Sequence, residues 1–380
     1  MDKSKPAPGP PAAARTASAG PDGAPARVVS ADLIRVIALA AVIVLHVAAV
    51  PVTHYKDLPV ERWWWANAYD SLARPCIPLF VMLSGALLLT AREWNPGTFV
   101  RRRATKVVIP FVAWSAIYFG WNGVVHDQAI PVARFFRHLA GGMGDPVYPH
   151  LWYLPLILSL YVLLPVVRIY TTNSSLKNQS YFIALWLGVT VLRPAIESRW
   201  GFPIGFYLDP VFGFIGYFVL GATFWMYAPK RLPAIWLAIA GITFAAGYTV
   251  TTIGTYGLTV RAGGELDETY YSNLAPNVIL MSVSGFALLR HLGEWLQEKS
   301  SDFPRLIRCL TLASAASFGA YLIHMIVLET FGSGVLGFAI GPMSENTSWV
   351  VPALSAATLF GGLTLATLMR QVRALRWLVP

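Results

Sequence analysis

The chain has 380 residues, of which 56% are hydrophobic and 13% are charged, with a net charge of +10 and a mean hydropathy of +0.54. Soluble proteins average roughly 45–50% apolar and about 25% charged residues, so a normal water-exposed surface, a soluble enzyme and a nucleic-acid-binding domain are excluded. The same values exclude disorder over most of the length. They predict a polytopic membrane protein, whose 14 Trp, 16 Tyr and 20 Phe residues suit an aromatic belt and the walls of cavities.

The first predicted element is a tail, residues 1–28, which is rich in Pro, Ala and Gly. No apolar stretch follows its first charges, so it does not resemble a signal peptide and is predicted to be disordered and cytoplasmic. Residues 29–380 are predicted to form one all-α transmembrane domain, because backbone groups inside a bilayer must be satisfied within the chain. Ten apolar runs of spanning length are predicted, at about 31–52, 75–91, 107–125, 151–169, 181–195, 211–227, 233–253, 273–290, 309–331 and 349–369.

The distribution of charge predicts the orientation of these spans. With the N-terminus in the cytoplasm and the sides alternating, most of the 29 Lys and Arg residues fall in cytoplasmic segments, and the acidic residues fall mostly outside. This pattern follows the positive-inside rule. Both termini are therefore predicted to be cytoplasmic, and the positive charge reflects topology rather than affinity for nucleic acid.

Ionisable residues inside the first span are candidates for function, because each costs about 2.5–3.5 kcal/mol at mid-helix. The span contains Asp32, Arg35 and His46. Asp32 and Arg35 are three residues apart and can pair. Arg35 and His46 are separated by about three turns, so they point to the same side, roughly 16 Å apart along the axis. A snorkelling arginine and a structural histidine are the alternative interpretation.

A second polar group lies in the ninth span and at the start of the fourth. Ser317, Tyr321 and His324 recur at helical spacing on one face of the ninth span. His324 and His46 are equally far from the starts of their spans, so both imidazoles are expected at a similar depth. His150 opens the fourth span from the outer side. We predict that the three histidines converge in the outer half of the membrane, although each alone is equally typical of a structural role.

Further candidates border the spans. Arg103 and Lys106 belong to a basic stretch before the third span, which either anchors the helix or binds phosphate. Trp152 belongs to a set of outer aromatic residues that either form an interfacial belt or stack on sugar rings. The two cysteines, Cys76 and Cys309, give neither a disulfide framework nor a metal-binding spacing, and the sequence has no Gly-rich nucleotide loop.

Six segments, in the same order, resemble the motifs of the membrane acyltransferase 3 family, whose hallmark is an arginine, ten residues and a histidine in the first span. The segments are Asp32-Leu33-Ile34-Arg35 with His46; Arg74 through Gly85; Phe99 through Pro110; His150 through Leu154 with Tyr161, Pro165 and Arg168; Gly216 through Gly221; and Ser317 through His324. At the position of the family's Arg-x-x-Arg motif, this sequence has Arg103 and Lys106, so a lysine replaces the second arginine. Lysine keeps the charge but loses the bidentate geometry of arginine.

The resemblance implies an enzyme, an O-acetyltransferase, which moves an acetyl or other short acyl group from cytoplasmic acyl-CoA to a hydroxyl of a surface polysaccharide or an undecaprenyl-linked oligosaccharide. It implies acetyl-CoA as the co-substrate, with no metal and no nucleic acid. It also implies a multi-pass protein of the bacterial cytoplasmic (inner) membrane, in contact with the lipid bilayer.

Acyl transfer needs a base on the attacking hydroxyl and stabilisation of an oxyanion. If the chain has the activity that the resemblance implies, His46 is the expected general base or, alternatively, a transient acyl carrier. Arg35 would orient the donor, Asp32 would fix Arg35, and Arg103 and Lys106 would hold the phosphates of CoA. The residues expected to position the acceptor or to stabilise the oxyanion are His150, Trp152, Tyr321 and His324. A glycolipid or small-molecule transporter and a non-catalytic subunit of a polysaccharide export complex are the alternatives, since deep polar residues suit them too.

Overall fold

A computed structural model describes residues 28–91, 95–125, 131–142, 144–192, 196 and 210–380. Within these residues every regular element is a helix, which confirms the predicted all-α class. The α-helices are α1 (Val29–Val52), α2 (Val60–Ala73), α3 (Cys76–Leu88), α4 (Pro96–Arg103), α5 (Ile109–Val125), α6 (Val132–Gly141), α7 (Tyr153–Asn173), α8 (Leu176–Leu187), α9 (Pro210–Tyr227), α10 (Ala234–Arg261), α11 (Pro276–Glu298), α12 (Pro304–Gly332) and α13 (Thr347–Gln371). The predicted tail lies outside the described residues, apart from Val28.

Seven helical segments of the described chain are long and apolar enough to cross a membrane. They are Val29–Val52, Val60–Leu88, Pro149–Asn173, Ala234–Arg261, Thr269–Glu298, Pro304–Gly332 and Thr347–Gln371. The other three predicted spans are shorter. Helix α5 has 17 residues, and the apolar part of α9 is Gly213–Tyr227. The predicted fifth span comprises α8 with the π-helical turn Gly188–Leu192, and the end of that span lies outside the described residues. The protein is therefore a multi-pass membrane protein, and the number ten stays a prediction.

The segment before the second span differs from the prediction. The predicted spans leave 53–74 as a connection, but Val60–Ala73 forms α2, which joins α3 in a 29-residue apolar segment. Trp63 gives the physical reason, because its side chain is fully buried and its Nε1 donates to the Val52 carbonyl oxygen at 2.8 Å. Packing of this ring against the end of α1 stabilises the first turn of α2.

Helix α1 lies at the centre of the described bundle. It packs against α2, α3, α11, α12 and α13. Its fully buried side chains include Ile34, Leu39 and Ile43. Since five helices contact α1, most of its faces meet protein rather than lipid, and its polar residues can pair with neighbouring helices.

Helices α3 and α9 cross at two glycines. A Cβ atom on Gly85 would lie 1.8 Å from the Phe218 carbonyl oxygen, and one on Gly221 would lie 2.0 Å from the Met82 carbonyl oxygen. Only glycine lets two helix backbones approach this closely. The crossing fixes α3, which forms one wall of the cavity described below.

Two arginines bind carbonyl groups at the C-terminal ends of these helices. Arg168 of α7 donates to the Leu88 carbonyl oxygen of α3 at 3.0 Å, and Arg290 of α11 donates to the Phe224 carbonyl oxygen of α9 at 2.7 Å. The last carbonyls of a helix have no partner within the helix. The two guanidinium groups therefore satisfy them and hold both helix ends in place.

Candidate active site

The structure brings the three predicted histidines together. His46 belongs to α1, His150 to the 3₁₀ turn Pro149–Trp152, and His324 to α12. The ring centroids are 5.2 Å apart for His46 and His324, 4.8 Å for His150 and His324, and 6.3 Å for His46 and His150. Within the described part of the chain, no group of three or more His, Cys, Asp or Glu side chains is placed to hold a metal ion. We call these residues the histidine cluster.

The hydrogen bond of His324 sets its tautomer. Its Nδ1 lies 2.5 Å from the Tyr321 carbonyl oxygen, which can only accept, so Nδ1 carries the proton. The lone pair of the neutral ring is then on Nε2. This nitrogen is buried and has no hydrogen-bond partner among the described residues. A buried acceptor without a donor is unfavourable, and a substrate hydroxyl would satisfy it.

Tyrosine rings surround the imidazole of His150. Their centroids lie 4.9, 5.8 and 5.5 Å from it and belong to Tyr118, Tyr148 and Tyr321. The Tyr321 hydroxyl donates to the His150 carbonyl oxygen, and the Tyr118 hydroxyl donates to the Leu322 carbonyl oxygen of α12 at 2.7 Å. Since α12 also carries His324, these bonds fix His150 relative to its neighbour in the cluster.

The predicted pair of Asp32 and Arg35 exists and includes a third residue. Arg35 Nη1 donates to Asp32 Oδ1 at 3.3 Å and to Ser314 Oγ at 2.6 Å, and Ser314 Oγ lies 2.5 Å from Asp32 Oδ1. Ser314 is absent from the predicted site. It lies three residues before Ser317 and so continues the polar stripe of α12, a spacing from which it could have been identified.

A cavity of about 430 Å³ joins the predicted donor residues. Its polar lining includes Arg35, Arg103, Lys106, Ser314 and Ser317, and its aromatic lining includes Phe80, Tyr153, Tyr161 and Tyr321. The guanidinium carbon of Arg103 lies 5.2 Å from the Tyr161 ring centroid, which holds this cation at the wall. Because the Tyr321 ring also contacts His150, this one side chain lies between the cavity and the histidine cluster.

Trp152 lies apart from the other predicted acceptor residues. Its ring centroid is 6.0 Å from that of Phe214. The half-buried indole therefore belongs to the contact between the start of α7 and α9. Although Trp152 is only two residues from His150, the turn directs its ring to a different helix.

Glu329 is a polar residue whose contacts the sequence did not predict. Its Oε2 accepts from Trp121 Nε1 of α5 at 2.5 Å, and its Oε1 accepts from the Tyr148 hydroxyl. The Tyr148 ring in turn lies 5.8 Å from that of His150. Helical spacing places Glu329 away from His324 along α12, but partners from α5 and from the segment before α7 connect it to the site.

These observations define a multi-pass membrane protein with a histidine cluster beside a basic cavity. A family model described as Acyltransferase domain matches residues 28–367, nearly the whole chain. The chain therefore belongs to the acyltransferase 3 family and is a membrane acyltransferase. Among curated proteins and solved structures, none matches the chain significantly. The match confirms the family that the six sequence segments predicted, and it favours an enzyme over a transporter or a non-catalytic subunit.

Proposed function

We propose that this acyltransferase moves an acetyl or other short acyl group from cytoplasmic acyl-CoA to a hydroxyl of a surface polysaccharide or its undecaprenyl-linked precursor. One observation carries the proposal: the cavity lined by Arg35, Arg103 and Lys106 reaches Tyr321, whose ring also contacts His150. A site for an anionic donor and a group of imidazole bases are thus separated by one side chain.

The charge of the cavity supports an acyl-CoA donor. Arginine binds phosphate through two N–H groups, and lysine binds it as a point charge. Arg103 and Lys106 would hold the phosphates of CoA. Arg35, restrained by Asp32 and Ser314, would orient the arm that carries the thioester toward Tyr321.

The histidine cluster supports the transfer step. An imidazole nitrogen accepts the proton of the acceptor hydroxyl while the hydroxyl oxygen bonds to the thioester carbonyl carbon. Collapse of the tetrahedral intermediate breaks the carbon–sulfur bond, and the proton then passes to the thiolate of CoA. His46 is the proposed base. His324 is the second candidate, because its Nε2 lone pair is buried and unpartnered among the described residues.

The hydrogen bonds of the site refine the proposed acceptor roles. The Tyr321 hydroxyl is engaged by the His150 carbonyl, so we assign Tyr321 to positioning rather than to oxyanion stabilisation. His150 and His324 would contact the acceptor hydroxyl or the oxyanion. Stacking of Trp152 on a sugar ring stays a prediction, and in the structure the Trp152 ring packs against Phe214.

We further propose ten crossings, with both termini in the cytoplasm of a bacterium and the protein in its cytoplasmic (inner) membrane. Helices α5, α8 and α9 would supply the three crossings beyond the seven long ones. The basic residues Arg103 and Lys106 then face the cytoplasm, as the positive-inside rule expects, and the cavity opens where acyl-CoA is available.

The proposal is tested with the purified full-length chain in lipid nanodiscs, by measuring CoA release and acyl ester formation from labelled acetyl-CoA and an oligosaccharide acceptor. His46→Ala is expected to abolish both products. His54→Ala is the matched control, because His54 is exposed just beyond α1 and contacts the Val50 carbonyl oxygen. Full activity of a folded His46→Ala variant would contradict the role of His46. Movement of a glycolipid without CoA release would instead favour a transporter.

A further inference from the structure

Helix α6, Val132–Gly141, has two chemically different faces. Apolar side chains recur at spacing i, i+3, i+4 and i+7 and belong to Val132, Phe135, Phe136 and Leu139. Arg134 and Arg137 lie on the other face. No residue of this helix is buried, and the side chains of Val132 and Phe136 are 64% and 61% exposed. A short helix with an uncovered apolar face and a basic face is typical of a segment at a membrane surface.

The contacts of α6 place it beside the end of the bundle at which α1 and α5 terminate, here called the histidine end. The Phe135 ring centroid lies 4.9 Å from that of Phe119 in α5. The helix therefore folds back against the flank of α5 and does not project away from the bundle. His138 Nδ1 lies 2.8 Å from Asp145 Oδ1, which ties α6 to the segment that leads to His150.

A second exposed apolar segment lies level with α6. Residues 333–340 follow α12, and the exposed side chains there include Val335 at 80%. Trp121 near the end of α5 donates to Glu329 near the end of α12, so the two helices end at the same height. The segments that follow them, α6 and residues 333–340, therefore expose apolar side chains at one level of the bundle.

We propose that α6 and residues 333–340 rest on the bilayer surface at the histidine end, where Arg134 and Arg137 bind the phosphates of anionic lipids. Both arginines are exposed on the basic face of α6, and lipid phosphates complement their charge. The phosphate of a single acceptor lipid would satisfy the arginines but would leave Phe136 and residues 333–340 uncovered. The headgroup layer covers all of them, and through His138 and Asp145 it restrains the segment that carries His150.

The test measures the contact of α6 with lipid in the full-length chain, so it does not depend on the proposed reaction. A fluorophore is attached at Phe136→Cys in a Cys309→Ser background, since Cys76 is buried and Cys309 is exposed. The labelled protein is placed in nanodiscs that contain nitroxide-labelled lipid, with phosphatidylcholine alone or mixed with phosphatidylglycerol. Quenching is expected, and it is expected to increase at least twofold with phosphatidylglycerol.

Arg134→Gln/Arg137→Gln is expected to remove the increase caused by phosphatidylglycerol. The matched control is Arg305→Gln/Arg308→Gln, which changes two exposed arginines at the same spacing. These residues lie where α12 begins, at the opposite end of the bundle. The control variant should leave the increase unchanged. Absence of quenching, or equal quenching in both lipid mixtures, would overturn the proposal. So would a double variant that keeps the increase; if that variant also raised the KM for a lipid-linked acceptor, the arginines would bind the acceptor phosphate instead.

Discussion

The Tyr321 hydroxyl donates a hydrogen bond to the backbone carbonyl of His150, and the backbone carbonyl of the same tyrosine accepts the Nδ1 proton of His324. One residue therefore orients two members of the histidine cluster. The Tyr321 ring also lines the basic cavity. Tyr321 thus couples the geometry of the proposed donor site to that of His150 and His324.

Tyr321→Phe is expected to lower kcat about tenfold and to leave the KM for acyl-CoA nearly unchanged. The variant keeps the ring in the cavity wall but removes one buried hydrogen bond, whose loss costs about 1.4 kcal/mol, or one factor of ten. Steady-state kinetics in nanodiscs measure the change. Tyr217→Phe is the control, because the Tyr217 hydroxyl donates to the Asn273 carbonyl oxygen outside the cluster. An unchanged kcat in Tyr321→Phe would show that this bond does not position His150.

Spacings along individual helices could be predicted from the sequence. The spacing of Asp32 and Arg35 predicted their pairing, and equal distances from the span starts placed His46 and His324 at one depth, because the rise and turn per residue of a helix are fixed. Nothing in that spacing determines which face of α12 meets α1. The contact of Ser314 with Arg35 therefore had to come from the three-dimensional packing.

Contacts made by aromatic side chains were the least predictable from sequence. The predicted spans leave Trp63 in a connection, and tryptophan is enriched at membrane interfaces on average, so an interfacial position was expected. The fully buried ring of Trp63 instead packs against the end of α1. Trp152 shows the same limit, since a turn of the backbone sends its ring to Phe214 while its near neighbour His150 enters the cluster. Interfacial preference gives the depth of such a residue but not its partner.

Ser314→Ala is expected to raise the KM for acyl-CoA about tenfold with a smaller effect on kcat. The hydroxyl links Arg35 to Asp32 at 2.6 and 2.5 Å, and a hydrogen bond to a charged group contributes about 1.5–3 kcal/mol. Without it, Arg35 is less well oriented toward the donor. The control is Ser284→Ala, whose hydroxyl donates to the Leu280 carbonyl of its own helix. Equal KM values for Ser314→Ala and the unmodified chain would show that the Ser314 hydroxyl does not orient Arg35 toward the donor.

Arg103→Gln is expected to raise the KM for acyl-CoA by a factor of about 10 to 100, because a charge-assisted bond to phosphate contributes about 1.5–3 kcal/mol. Arg101→Gln is the matched control, since Arg101 is exposed two residues earlier on α4. Lys106→Arg should be tolerated, because it restores the two arginines of the family motif and keeps the charge. Isothermal titration with desulfo-CoA measures binding directly. Equal losses in the two glutamine variants would indicate a general charge effect instead of a phosphate site.

Gly85→Ala is expected to destabilise the fold, whereas Gly241→Ala is expected to leave it unchanged or stabilise it slightly. The added Cβ of Gly85 would lie 1.8 Å from the Phe218 carbonyl oxygen, but at Gly241 nothing lies within 4 Å. Separating α3 from α9 costs about 1–3 kcal/mol or more, and alanine is favoured over glycine in a helix by about 1 kcal/mol. Thermal unfolding in detergent gives the difference in Tm. A Tm of Gly85→Ala at or above that of the unmodified chain would contradict the close crossing.

Glu329→Gln is expected to lower the kcat for acceptor acylation about tenfold without changing the KM for acyl-CoA. The carboxylate accepts from Trp121 and from the Tyr148 hydroxyl, and Tyr148 contacts the ring of His150. The amide keeps one strong acceptor but replaces the other by a donor, so one of these bonds is lost, at about 1–2 kcal/mol. Glu345→Gln, an exposed change in the segment before α13, controls for loss of charge near the histidine end. If both variants retain full kcat, then Glu329 stabilises only the contact of α5 with α12, and the thermal unfolding of Glu329→Gln alone should be altered.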